Sequence, residues 1–177
     1  MKILDELLSG CYLIDPGPIK DRRGYFVKTF DQEKLKACGI EFEVKDAYYS
    51  VSRRNVIRGM HFQTRPYAHG KLVQCAKGEV LDVLLDVRPG PDFGRSTSVV
   101  LDSQNRYMVF APIGLAHGFL SKKNDSLMVY STSSIHKPDN DSGVRWDSFK
   151  FNWGKGPFII SDRDLKLPEL VNIENSF

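Results

Sequence analysis

Residues 79–87 read EVLDVLLDV, and their spacing decides the fold class. Side chains alternate across a β-strand, so Leu81, Val83, Leu85 and Val87 share one face, while Asp82 and Asp86 lie on the other with Val80 and Leu84. The first face belongs to a core and the second is mixed. Outward from this stretch the chain repeats short β-branched and aromatic runs separated by Gly, Pro, Asn and Asp. Strands are expected over 24–30, 42–51, 56–62, 71–76, 79–87, 96–101, 107–111, 116–120 and 126–132. Helix is scarce. DQEKLKAC (31–38) has Asp31 as N-cap and Gly39 just beyond its end, giving one short helix. SDRD (161–164) is a second capping pattern, before a short helix or turn ahead of Pro168. With no internal repeat, low-complexity tract or linker, residues 1–177 read as a single all-β domain. A two-sheet jelly roll, able to hold a small ligand between its sheets, is the expected architecture.

The composition, 41% hydrophobic and 27% charged, is that of an ordinary globular protein and excludes disordered and fibrous classes. Lys plus Arg exceed Asp plus Glu by 25 − 22 = 3, without any long positive block. Small anions are therefore favoured as partners, and no nucleic acid is expected. The start, MKILDELLSGCYLID, holds no apolar run of signal-peptide length, and no stretch reaches the roughly 20 apolar residues of a membrane span. A cytoplasmic protein without a membrane partner is expected. Cys11, Cys38 and Cys75 are odd in number and lack CxxC spacing, which argues against a disulfide framework and a zinc knuckle. They read as small buried hydrophobes.

The polar residues threaded through VIRGMHFQTRP (56–66) point to a site. Alternation puts Gly59, His61 and Gln63 on one face, with Met60 and Phe62 on the other. An unpaired buried polar group costs on the order of 1–3 kcal/mol, so an inward face bearing His61 and Gln63 must find partners or open onto a cavity. Arg58 falls on the opposite face and joins them only if Gly59 marks a bulge or bend. His117 follows a Pro112–Gly114 turn, and the spacing Pro-x-Gly-x-x-His resembles the second motif of the cupin jelly rolls. A cupin metal site needs further ligands from the first motif, yet HFQ has Gln63 where a second histidine belongs and no Glu shortly after. No metal and no cofactor are expected; an organic acid–base site is. His69 and His136 stand in loop-like contexts and are expected to be solvated. Lys71 near Arg58 and Arg23 would make an anion pocket, with Arg suited to bidentate phosphate contacts.

Taken in order, DRRGYFVKTF (21–30), NVIRGMHFQ (55–63), GKLVQCAKGEVLDVLLDVRPGPDFG (70–94), APIGLAHGFLS (111–121), MVYSTSSIHKPDNDSGVRW (128–146) and ISDRD (160–164) span nearly the whole chain. Together they resemble the dTDP-4-dehydrorhamnose 3,5-epimerase family, metal-independent members of the cupin superfold. The resemblance implies a cupin-type jelly-roll sandwich with a few short helices. It also implies inversion of carbon 3, carbon 5 or both of a nucleotide-linked 4-keto-6-deoxy sugar. By it His61 is the general base, Asp164 the carboxylate that orients and charge-supports it, and Tyr130 the proton donor. Arg58, Lys71 and Arg163 match positions that hold the diphosphate or its flanking groups, and His117 matches one that contacts the sugar. Asp141 replaces a family Glu. Arg23 matches a position that reaches the partner subunit's site through exchanged N-terminal strands, which implies a homodimer. Lys28 stands where the family's usual Glu contacts the nucleotide base, and Asp46 and Tyr48 stand where Gln and Asn are usual. These three departures leave dTDP, CDP and GDP open as the nucleotide.

Overall fold

The computed structural model describes residues 1–173. Two sheets face each other. The first has six strands in the order β1 (Lys2–Leu8), β2 (Cys11–Asp15), β10 (Met108–Ala111), β7 (Lys71–Lys77), β12 (Ser126–Thr132) and β5 (Asp46–Ser52). The second has five, in the order β13 (Asp141–Gly143), β6 (Ile57–Gln63), β11 (Leu115–Ser121), β8 (Glu79–Asp86) and β9 (Ser96–Asp102). A separate hairpin joins β3 (Ile19–Asp21) to β4 (Gly24–Phe26). This is the expected jelly-roll sandwich. The expected strand at 24–30 is shorter than its sequence suggested, because the chain leaves β4 to enter helix α1 (Gln32–Ala37), whose first turn Asp31 caps by accepting from the Lys34 N–H. Ser161 caps the second helix, α2 (Asp162–Leu165), in the same way through the Asp164 N–H. No helix among the described residues is long and apolar enough to cross a membrane.

Alternation on β8 resolves in an instructive way. Val80 and Leu84 point between the sheets, where they meet Val73, Phe119, Met128 and Tyr130. Val83 and Leu85 point outward and are covered by Val144, Phe149 and Trp153 from the C-terminal segment. The mixed face is thus the interior one, and its buried Asp82 and Asp86 need partners there. On the other side, Leu35 of α1 with Ile40 and Phe42 caps the outer face of the six-stranded sheet against Leu72, Met108 and Phe110. The central strands of both sheets are therefore buried on both faces, while the edge strands β1, β5 and β9 leave side chains exposed. Cys11 and Cys75 pack as buried hydrophobes, whereas Cys38 is only half-buried.

One irregularity positions the site. Pairing of β6 with β11 sets His61 opposite His117 but Arg58 opposite Phe119, so three steps on β6 answer two on β11. The extra residue is a bulge at Gly59. Ile57, Met60 and Phe62 all face the outer cluster, and the change of parity between Ile57 and Met60 swings Arg58 to the inner face with His61. Glycine is required here: φ is +127°, and a Cβ would lie 2.5 Å from the Gly118 Cα and 3.0 Å from the His117 carbonyl oxygen. Backbone cannot yield as a flexible side chain does. Gly59→Ala is therefore expected to destabilise the fold by roughly 1–3 kcal/mol or more, read as a lowered midpoint in urea or thermal unfolding. An unchanged midpoint would mean that the bulge relaxes freely.

Candidate active site

A cavity of about 420 Å³ opens between the sheets, and its walls carry most of the polar residues singled out above. From the five-stranded sheet come Arg58, His61, Gln63, His117 and Asp141, joined by Arg163 of α2; from the six-stranded sheet come Asp46, Tyr48, Lys71 and Tyr130. The size is that of an ordinary small-molecule site.

His61 and Asp164 form its most ordered pair. His61 Nε2 lies 2.8 Å from Asp164 Oδ1, and Asp164 Oδ2 accepts the Gly59 N–H at 3.0 Å. A carboxylate only accepts, so Nε2 carries the hydrogen and Nδ1 keeps its lone pair. The bulge and the capped turn of α2 thus converge on one carboxylate, which fixes the imidazole. Arg163 Nη1 stands 2.9 Å from the same Nε2 and 3.3 Å from Asp164 Oδ1, while its Nη2 bonds Asp141 Oδ2 at 2.5 Å. Since Nε2 donates to Asp164, the first of these contacts is a cation beside an N–H. Burial lowers the His61 pKa, Asp164 pulls it back up, and Lys71 and Arg163 add to the lowering. For Asp164 burial works upward but is outweighed by the His61 contact, the Gly59 N–H and Arg163, so its carboxyl stays below the usual range.

Across the cavity, Tyr130 is stacked on Tyr48 with ring centroids 4.8 Å apart, and its hydroxyl lies 3.2 Å from Ser50 Oγ. Burial pushes the phenol's pKa well above its ordinary value, so at neutral pH it holds its proton. Lys71 is buried on the same wall and reaches over to donate from Nζ to the His61 carbonyl oxygen at 2.9 Å. Burial brings its pKa down to about 8. Deeper in, the fully buried Asp82 accepts from His117 Nε2 at 2.7 Å through Oδ1, while its Oδ2 has no partner. Asp82 was not among the expected site residues; the signal for it was the mixed face of EVLDVLLDV, one cross-strand step from Phe119 and close to His117.

Other expectations change on contact with the structure. Gln63 borders the cavity, but its amide is taken up by protein: Nε2 faces the Tyr67 and Ile135 carbonyls and His69 Nδ1, and Oε1 accepts from the Lys137 N–H. It clamps two loops together. That clamp corrects the expectation of solvated loop histidines, since it draws His69 half-buried onto the cavity wall, where burial holds its pKa down to about 4. His136 stays exposed but lies at the rim. Arg58 donates to Ser52 Oγ and the Val51 carbonyl, which aims its guanidinium along the inner face.

Comparison with known proteins fits this geometry. A family model described as dTDP-4-dehydrorhamnose 3,5-epimerase matches residues 5–172. The chain belongs to the dTDP-4-dehydrorhamnose 3,5-epimerase family. It is an epimerase with the cupin-like β fold of that family. A relative of that name from Methanothermobacter thermautotrophicus is 39% identical over 169 residues, covering 92% of this chain and 91% of the relative. Among solved structures, the Bacillus anthracis dTDP-4-dehydrorhamnose 3,5-epimerase, with TDP and PPi bound, superposes with a TM-score of 0.91 at 30% identity and covers 95% of this chain and 98% of that one. The Legionella pneumophila dTDP-6-deoxy-D-glucose-3,5-epimerase, in complex with dTDP-4-keto-L-rhamnose, gives 0.92 at 27% identity over 98% and 94% of the two chains.

The remaining expected site residues divide by position. Asp46 and Tyr48 line the cavity two residues apart on β5. Lys28 lies outside it, paired with Asp31 at 2.9 Å. Arg23 also lies outside it, exposed on the β3–β4 hairpin and paired with Asp21.

Proposed function

We propose that this epimerase inverts carbon 3, carbon 5 or both of a nucleotide-linked 4-keto-6-deoxy sugar, with His61 as base, Tyr130 as acid and Asp164 as the group that holds the base. The observation that carries the proposal is the pairing of a carboxylate-backed imidazole on one wall with a protonated phenol on the other. A 4-keto group acidifies the C–H bonds on its flanking carbons. Nδ1 of His61 takes one of these protons and leaves an enolate whose charge rests largely on oxygen. Inversion needs a proton on the opposite face, which one imidazole cannot reach; the Tyr130 hydroxyl supplies it. Lys71, which keeps two further N–H groups beyond its bond to the His61 carbonyl, is the donor available to the enolate oxygen, and such preorganised stabilisation is often the largest catalytic contribution. His117 gives its Nε2–H to Asp82 and has a second hydrogen to give only as an imidazolium. Arg58 and Arg163 are suited to the diphosphate. Gln63 supports the wall from behind. The reading is tested by incubating the protein with a panel of nucleotide-linked 4-keto sugars in heavy water and following carbons 3 and 5 by NMR. Deuterium with inversion at either carbon supports it; absence of exchange across the panel refutes it.

The protonation states give the pH profile a definite sign. His61 must be neutral to act as base, and burial, reinforced by Lys71 and Arg163, holds its pKa below the ordinary 6.5. Hence kcat/KM rises with pH through a limb lying below 6.5. Lys71 serves as a cation, so activity falls as pH passes its pKa of about 8. Asp164→Asn removes the upward pull on His61 and should move the acid limb to lower pH while reducing kcat. A limb displaced upward in that variant would contradict the assignment.

The sandwich acts as one domain and pairs into a homodimer by exchanging its N-terminal strands. Support comes from the β3–β4 hairpin, which exposes Ile19, Tyr25 and Phe26 together. Exchange would carry Arg23 toward the partner's cavity. Solution scattering of a dimer with the mass of two chains is the expected result. The three unpaired cysteines support a reducing, cytoplasmic setting.

A further inference from the structure

The cavity contains one carboxylate that its own walls leave unanswered. Asp141 is paired with Arg163, and Asp164 with His61 and Gly59, but among the described residues no hydrogen bond or ion pair reaches the Asp46 side chain. No donor around it reaches it, and among the described residues His69 Nε2, on the same cavity wall, is itself without a partner. Thr132, its register partner on β12, gives its hydroxyl to the Ser134 carbonyl at 2.9 Å. Lys71 gives one of its three Nζ hydrogens to the His61 carbonyl, and Arg58 is directed at Ser52 and Val51 through Nε and Nη2; neither reaches Asp46. Two residues along the same face stands Tyr48, stacked by one side of its ring on Tyr130 and 44% exposed. An acceptor-only group thus sits beside an aromatic ring with a free face. A diphosphate would be repelled by Asp46, so the carboxylate must meet a neutral part of the ligand that donates hydrogen bonds, and the ring beside it favours a flat one.

We infer that Asp46 and Tyr48 form a guanine-reading subsite, so that the sugar substrate is GDP-linked; this rests on the epimerase reading above. Guanine presents N1–H and N2–H side by side, and one carboxylate accepts both in a bidentate pair. Thymine has a single N3–H flanked by two carbonyl oxygens, which face a carboxylate with like polarity. Cytosine sets its amino group beside the bare N3 lone pair and satisfies only one oxygen. Tyr48 provides the surface on which the purine stacks.

The test is calorimetric titration of the intact protein with GDP, dTDP and CDP, repeated on Asp46→Asn, whose amide offers an N–H2 where guanine needs an acceptor. The expected result is GDP binding about ten-fold or more tighter than either pyrimidine nucleotide, with Asp46→Asn losing about that factor for GDP and little for dTDP. Equal or tighter binding of dTDP or CDP by the unsubstituted protein overturns the inference, as does an Asp46→Asn variant that keeps full GDP affinity. The unsubstituted protein's selectivity decides the matter even if the variant folds poorly. Preference for dTDP with deuterium exchange intact refutes the guanine subsite alone. Preference for GDP without exchange in any sugar nucleotide supports the subsite and refutes the epimerase reading instead.

Discussion

Replacing His61 with alanine is expected to lower turnover by about 10²–10⁴-fold, the usual worth of a positioned general base, and to remove deuterium uptake at carbons 3 and 5. Nucleotide affinity should change by only a few-fold, because on the proposed reading the imidazole is directed at the sugar while Arg58 and Arg163 hold the charged groups. The substitution also frees Asp164, but that carboxylate keeps the Gly59 N–H and Arg163 as partners and is not stranded. Steady-state kinetics, NMR exchange and calorimetry on one preparation separate these effects. Exchange persisting near the unsubstituted rate would show that another group removes the proton.

Tyr130→Phe should separate exchange from inversion. Phenylalanine keeps the stack on Tyr48 and loses only the hydroxyl and its contact with Ser50. His61 still removes a proton, trades it with solvent and returns deuterium to the same face. The expected outcome is deuterium incorporation with retained configuration, while inverted product falls by about 10²–10⁴-fold. Equal loss of exchange and inversion would place Tyr130 in proton removal as well. Unimpaired inversion would take the acid role away from it. This variant discriminates more sharply than His61→Ala, because it predicts one chemical event surviving while its companion disappears.

The residues differ in how openly their sequence announces their place. EVLDVLLDV and SLMVYST declare strands because each buries large side chains at a two-residue period. The two helices are visible through Asp31 and Ser161, whose side chains cap the backbone of their own first turn and so depend on nothing distant. Strands β1 and β2 were missed. KILDELL mixes charge with aliphatic residues on an exposed edge, where little burial enforces alternation. Strand β13 has three residues and exists because β6 offers it a ladder. Gly59 was legible as a condition, since Arg58 could join His61 only across a bulge, and the register supplies that bulge. His69 was misread as solvated because its burial depends on Gln63 drawing two distant loops together. Asp82 was visible only as an anomaly on a mixed face; its partner, His117, is supplied by strand pairing 35 residues away.

That anomaly bears on what the interior is for. Lys71, Asp82 and His117 are all buried between the sheets, where an apolar trio would pack without the cost of desolvation. A fold selected for stability alone has no reason to keep a buried lysine whose pKa falls to about 8. Lys71 and His117 line the cavity that holds His61 and Tyr130, with Asp82 behind His117, and such polar walls are what a site for a charged, oxygen-rich intermediate demands.

The central claim is that a pyranose ring lies between His61 and Tyr130. Its most direct test is a crystal structure of the protein with a sugar nucleotide reduced at carbon 4, which cannot form the enolate. The account requires the His61 imidazole on one face of the ring, the Tyr130 hydroxyl on the other, and carbon 3 or carbon 5 between them. A sugar seated outside that gap, or both side chains on the same face, would contradict it.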